Sequence, residues 1–318
     1  MKYCDTLFLT FLFLLTSPSF TLTTTCPTTM SASRTVQRIL PKPSQHWVGD
    51  AFHVYPVFAN LAFTNTLSPM LMFDYGAPKT FPASTGKPRG VGQHPHRGFE
   101  TVTVAFQGEV EHHDSQGGTG VIYPGDVQWM TAGRGIVHEE YLSKEFTKQG
   151  GTLEMCQLWV NLPKKDKMTK PRYQALQNKD IPVVDLGNDM TARIIAGELN
   201  GIKGPAMTFS PIQLWDVTCP TKGILTLDYP SGHTAIVFMR RGSAEIGNQL
   251  VNPQDVALLN IDGSQKIEIN VLQKNTSILI MGGEPINEPI ANRGPFVMNT
   301  QDELNQAMND YASGKMGK

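Results

Sequence analysis

The chain is short of cysteine, of charge and of long apolar runs. Of its four cysteines, Cys4 and Cys26 fall in an N-terminal segment treated below, and Cys156 and Cys219 show no CxxC spacing. Those two read as ordinary buried thiols and not as a site. Charged residues make up only 17% of the chain, and 27 basic side chains against 28 acidic ones leave a net charge of −1. That balance offers no footprint for direct DNA or RNA binding, so any role in transcription would run through protein partners. The apolar run from Leu7 to Leu15 is too short to span a bilayer as a stable helix, and no membrane span is expected in the mature protein. Turn chemistry is what the chain has in plenty. The 29 glycines and 22 prolines in 318 residues describe a turn-rich protein, long enough for two domains and closer to β architecture than to helical bundles or disorder.

The first residues read as an address. Lys2 precedes the Leu7 to Leu15 run, Ser17 and Ser19 offer a cleavage site, and from Phe20 to Ser44 there is no Asp or Glu. A signal peptide followed by a transit peptide fits that order, so residues 1–44 are expected to be a presequence. The Ser17-Pro18-Ser19-Phe20 arrangement resembles the bipartite presequences of algae with complex plastids, which implies a plastid destination. The alternatives are a plain secretory route, or translation from Met30 with a cytoplasmic or nuclear product.

Two stretches, Val54 to Val160 and Ala192 to Met281, consist of short apolar or alternating segments punctuated by Gly, Pro and Asp, the pattern of strands and turns. They look like weak internal repeats. A strand ends in Gln107-Gly108 or Arg241-Gly242, a hairpin follows, and then Tyr-Pro-Gly-Asp126 or Asn-Pro-Gln-Asp255. The expectation is an all-β chain of two jelly-roll barrels in tandem with a short C-terminal α-helix. The expected bounds are 45–165 for the first barrel, 166–190 for a Lys- and Pro-rich linker, 191–290 for the second barrel and 291–318 for the helix and tail. Thr300-Gln-Asp-Glu303 has capping-box form, and Leu304, Ala307, Met308 and Tyr311 recur at helical spacing.

The chemistry is concentrated in two clusters. In Gln93-His94-Pro95-His96-Arg97-Gly98-Phe99-Glu100, residues two apart on a strand point to one face, so His94 and His96 present both imidazoles together, and Glu100 shares their parity if pairing is regular. In the Gly133 to Glu140 segment, His138 and Glu140 share a face while Glu139 points away. Three imidazoles and a carboxylate without thiolate suit Fe(II), Mn, Ni, Cu or Zn, and ligand type does not choose among them. His112 and His113 are adjacent beside a turn and are expected to be solvated, and His46, His53 and His233 carry no functional expectation. The second barrel has no HxH, and nothing like HxE follows Asp255, so no metal is expected there.

The segments HPHRGFETVT, HHDSQGGTG and GDVQWMTAGRGIVHEE, with QLWVNLP and GPFVMNT further on, resemble the pirin family of bicupins from about Pro56 onward. The resemblance implies two cupin barrels and one iron held by His94, His96, His138 and Glu140. In cupins generally the ligand carboxylate comes from HxHxxxE, here Glu100; in the pirin pattern Glu140 takes that place, which leaves Glu100, and with it Arg97, to orient an imidazole N–H. The resemblance further implies quercetin 2,3-dioxygenase-type activity, in which a deprotonated flavonol or related phenol chelates the metal and reacts with O2. Glu140 is then both ligand and general base. The other implied role is a metal-dependent co-regulator that binds protein partners such as transcription factors.

Overall fold

The computed structural model describes residues 33–318 apart from Asp262. The signals expected before residue 33 lie outside the described residues. Strands dominate, and they form two similar units. In the first, a seven-stranded antiparallel sheet runs in the order Arg172–Leu176, Val127–Thr131, Phe99–Gln107, Gly151–Asn161, Met70–Phe81, Phe52–Pro56 and His46–Val48. A four-stranded sheet of Gly90–His96, Ile136–Leu142, Val110–Asp114 and Thr119–Ile122 accompanies it. The second unit repeats this with a seven-stranded sheet running from Val36–Leu40 at one edge to Val183–Gly187 at the other, and a four-stranded sheet from Gly223–Asp228 to Gln249–Val251. These are cupin-type double-sheet jelly rolls in tandem. The expected barrel is not closed by hydrogen bonds, because the two sheets of each unit remain separate ladders.

Alternation along the central strands fixes four layers. Cys156, Leu158 and Val160 join Val102, Val104 and Trp129 in a core shared with Leu214, Ile236, Phe238 and Met281 of the second unit, so the two large sheets pack face to face. The intervening residues turn the other way. Met155 and Ala105 meet Val110, Ile122 and Leu142 of the small sheet, and Val237 and Ile278 meet Leu225 and Ile269 in the second unit. Central strands buried on both faces read as continuous apolar runs, which is what TAIVFM and SILIMGG are.

The repeat signal is structural. Asp126 accepts the Tyr123 amide and Asp255 the Asn252 amide in equivalent turns. Gly125 has φ +90° in the first, and Gln254 adopts φ +65° at the same place in the second.

Two expected boundaries move. Val36–Leu40 pairs with Val256–Leu259 as an edge strand of the second unit, so part of the 1–44 segment belongs to the fold. A lack of acidic residues, the basis of the targeting reading, does not bear on strand pairing. The 166–190 segment carries two edge strands, Arg172–Leu176 and Val183–Gly187, one for each large sheet. Lys167, within the expected linker, is 1% exposed, and its Nζ donates to the carbonyls of Gly98 and Val297 and to Asn161 Oδ1. The tail helix, Gln301–Ala312, has the expected capping box and buries Leu304 and Ala307. It returns to the first unit, where Asp310 pairs with Arg97.

Candidate metal centre

The small sheet of the first unit builds the site. Gly90–His96 pairs with Ile136–Leu142 in a register that sets His138 opposite His94 and Ile136 opposite His96. The three imidazoles converge from two strands, with ring centroids 4.3 Å apart for His94 and His138, 4.8 Å for His94 and His96, and 4.9 Å for His96 and His138. One nitrogen from each lies within 4.8 Å of the others. His94 Nδ1 donates to the Gly92 carbonyl at 2.9 Å, which leaves its Nε2 as the free donor atom.

His138 is 1% exposed, and neither of its ring nitrogens, nor His96 Nδ1, has a hydrogen-bond partner among the described residues. A buried polar group without a partner costs about 1–3 kcal/mol. Burial, and then the neighbouring imidazoles, push His96 and His138 well below the ordinary histidine range, so both stay neutral with lone pairs available. Three converging imidazoles, each with an uncommitted ring nitrogen, fit a transition-metal ion.

Glu140 follows on the His138 strand after a register shift between the two. It is 5% exposed, and its oxygens lie outside the set formed by the three imidazole nitrogens. Gln157 Nε2 donates to both of them, at 3.2 and 3.1 Å. Burial pushes the Glu140 carboxyl upward, against the opposing effects of His94 and Gln157. Glu140, His94 and His96 line one cavity of about 290 Å³, whose other walls include Phe52, Met72, Met155 and Trp159. Trp159 stacks on Phe99 at 4.2 Å and stands edge-on to His96 at 5.2 Å, which braces that imidazole.

The expected roles of Glu100 and Arg97 do not hold. The chain leaves the small sheet at Arg97-Gly98 and enters the large one at Phe99, so side-chain parity does not carry across. Gly98 makes the crossing with φ +88°, and a Cβ there would overlap the Val297 carbonyl. Phe99 then faces His96, at 5.2 Å, and Glu100 faces away, its carboxylate accepting from Thr131 Oγ1 at 2.6 Å. Arg97 donates to the Arg134 carbonyl and to Asp310, 2.6 and 2.9 Å away, and so anchors the tail helix.

Sequence reading also passed over Gln157, Trp159 and Asp74, which line the cavity. Their only signal was alternation in MCQLWVNL and LMFDY. His112, expected in solvent, is 7% exposed, stacks on Tyr173 with centroids 5.0 Å apart, and sits opposite Glu140 in the ladder. Burial lowers it to about 4. His113 remains at the surface beside Glu111, 3.1 Å away.

Comparison with known proteins agrees with this architecture. The family model described as Pirin matches residues 51–160, and that described as Pirin C-terminal cupin domain matches residues 214–317. A Pseudomonas aeruginosa protein named "Putative quercetin 2,3-dioxygenase" is 49% identical over 274 residues, 86% of this chain and 94% of that protein. Human pirin is 37% identical over 256 residues, 79% of this chain and 83% of pirin. The crystal structure of quercetin 2,3-dioxygenase from Acinetobacter baumannii superposes with a TM-score of 0.86 at 46% identity, covering 90% of this chain and 99% of that one. With both cupin units matched in order and the paired-histidine strands in the first, the chain belongs to the pirin family.

Proposed function

We propose that the protein is a mononuclear iron oxygenase acting on flavonols or related phenols, in the manner of a quercetin 2,3-dioxygenase. The observation that carries this reading is that His94 and His96, two of the three converging imidazoles, open with Glu140 into a cavity otherwise walled by Phe52, Met72, Met155 and Trp159. An apolar cleft with a few converging polar groups is the form of a small-molecule site. The Pseudomonas and Acinetobacter relatives support the choice of substrate class through their names.

A divalent transition ion held by these residues would supply Lewis-acid charge that favours the deprotonated form of a phenol hydroxyl. His94, His96 and His138 are assigned as ligands, and Glu140 as the fourth. Fe(II) is the proposed ion, and Mn, Ni, Cu and Zn share the donor preference. Glu140 lies beside the imidazoles on the cavity wall, and the same side chain is assigned as the base that takes the substrate's hydroxyl proton. Gln157 holds that carboxylate in one orientation. Trp159 and Met72, neighbours across two strands, enclose the aromatic ring and keep bulk water from it.

The test is oxygen uptake and carbon monoxide release with quercetin, using protein loaded anaerobically with Fe(II) beside His94→Ala and metal-free controls. Turnover by the loaded wild type alone is expected. Stoichiometric metal without flavonol turnover would sink the enzymatic reading.

A further inference from the structure

The cavity holds one polar side chain that the oxygenase reading leaves unused. Its polar lining consists of His94, His96, Glu140, Gln157 and Asp74. The first three belong to the metal site, and Gln157 is committed to Glu140 and, at 3.4 Å, to Thr103. The Asp74 carboxyl makes no hydrogen bond or ion pair with any described residue. The carboxyl is half-buried among Val54, Met72 and Met155, and without a protein partner it keeps only the solvation that reaches it through the cavity.

Its position relative to the metal site follows from the sheet. Asp74 stands directly opposite Gln157 across the Met70–Phe81 and Gly151–Asn161 ladder, about 5 Å away at the usual strand spacing. Gln157 in turn reaches Glu140. A ligand held at the histidines and lying over Gln157 therefore meets Asp74 next. Burial holds the carboxyl up to about 7, so near neutral pH both protonation states are present and the group donates as well as accepts.

We propose that Asp74 is a specificity-determining residue whose carboxyl binds a substrate hydroxyl remote from the chelating end, so that the cavity selects polyhydroxylated phenols over singly hydroxylated ones. This rests on the phenol reading of the cavity. It gives a function to the one carboxyl among the described residues of the cavity lining that has no partner, and predicts which phenols fit.

The test compares anaerobic binding of quercetin and of 3-hydroxyflavone, which keeps the 3-hydroxyl and 4-carbonyl pair and lacks every other hydroxyl. Both are titrated by absorbance and tryptophan fluorescence into Fe(II)-loaded wild type, Asp74→Leu and Asp74→Asn. Wild type is expected to prefer quercetin by about ten-fold, the equivalent of one net hydrogen bond. Asp74→Leu should bring the two ligands to near parity through weaker quercetin binding, and Asp74→Asn, which still offers an amide, should keep part of the preference. Retained 3-hydroxyflavone binding in a variant shows that its cavity is folded. An unchanged preference in both variants overturns the role of Asp74 and leaves the phenol reading standing. Failure of both ligands to bind wild type overturns the phenol reading and this inference with it.

Discussion

Gln157 Nε2 reaches both carboxylate oxygens of Glu140, at 3.2 and 3.1 Å, tying the strand that carries His138 to the opposite sheet. Gln157→Leu leaves a buried carboxyl unsatisfied and is expected to destabilise the metal-free protein by about 1–3 kcal/mol. Through loss of orientation at the site it should also weaken metal binding roughly 10–100-fold. Chemical denaturation of the apoprotein and competitive metal titration read the two effects separately. Unchanged metal affinity would show that Glu140 does not depend on Gln157.

Asp74 gives a pH dependence with a defined sign. Burial raises its folded-state value to about 7 from an ordinary one of about 4, so the folded protein binds the proton more tightly than the unfolded chain. Its contribution is then most favourable below about pH 4 and is lost as pH rises to about 7. Asp74→Asn should therefore be more stable than wild type at pH 8, by about 1–3 kcal/mol once access from the cavity is allowed for, and the gap should narrow toward pH 4. Urea midpoints at the two pH values decide this, and a gap that widens in acid would contradict it.

Lys167 has the opposite sign. Burial lowers its amine to about 7 from about 10.4, so between those values the unfolded state binds more protons and stability rises with pH through that window. Lys167→Met removes that slope. It also removes three hydrogen bonds, to Gly98, Asn161 and Val297, and is expected to cost about 2–4 kcal/mol near neutral pH. A variant as stable as wild type there would contradict the packing described for the Gly98 crossing.

The adjacent histidines separate ring packing from exposure. His112→Ala removes a buried ring stacked on Tyr173 and should destabilise by about 1–3 kcal/mol. His113→Ala, at the surface, should stay within about 0.5 kcal/mol of wild type. Equal effects in thermal unfolding would refute the burial difference.

His94 and His96 were legible in the sequence because they lie within one strand, where period two is a reliable guide to facing, and His138 was legible from its own His-x-Glu segment on the partner strand. The same rule misplaced Glu100, because the Gly98 crossing between sheets resets the parity and no composition signal marks it. Arg97 was misread for a similar reason, since its partner Asp310 is over two hundred residues away. Gln157, Trp159 and Asp74 sit in strands whose alternation matches any two-faced core strand, and only the register shows which face meets the histidines. The edge strands Val36–Leu40 and Arg172–Leu176 were hidden by the basic and Pro-rich composition around them.

The central claim is that His94, His96 and His138 hold a metal ion, and metal content tests it most directly. Wild type and His138→Ala are loaded anaerobically with Fe(II), desalted and analysed for iron per chain. The account predicts about one ion per wild-type chain and little in the variant, with Fe(II) raising the unfolding temperature of wild type alone. Wild type that retains no iron, or a variant that retains as much, would contradict it.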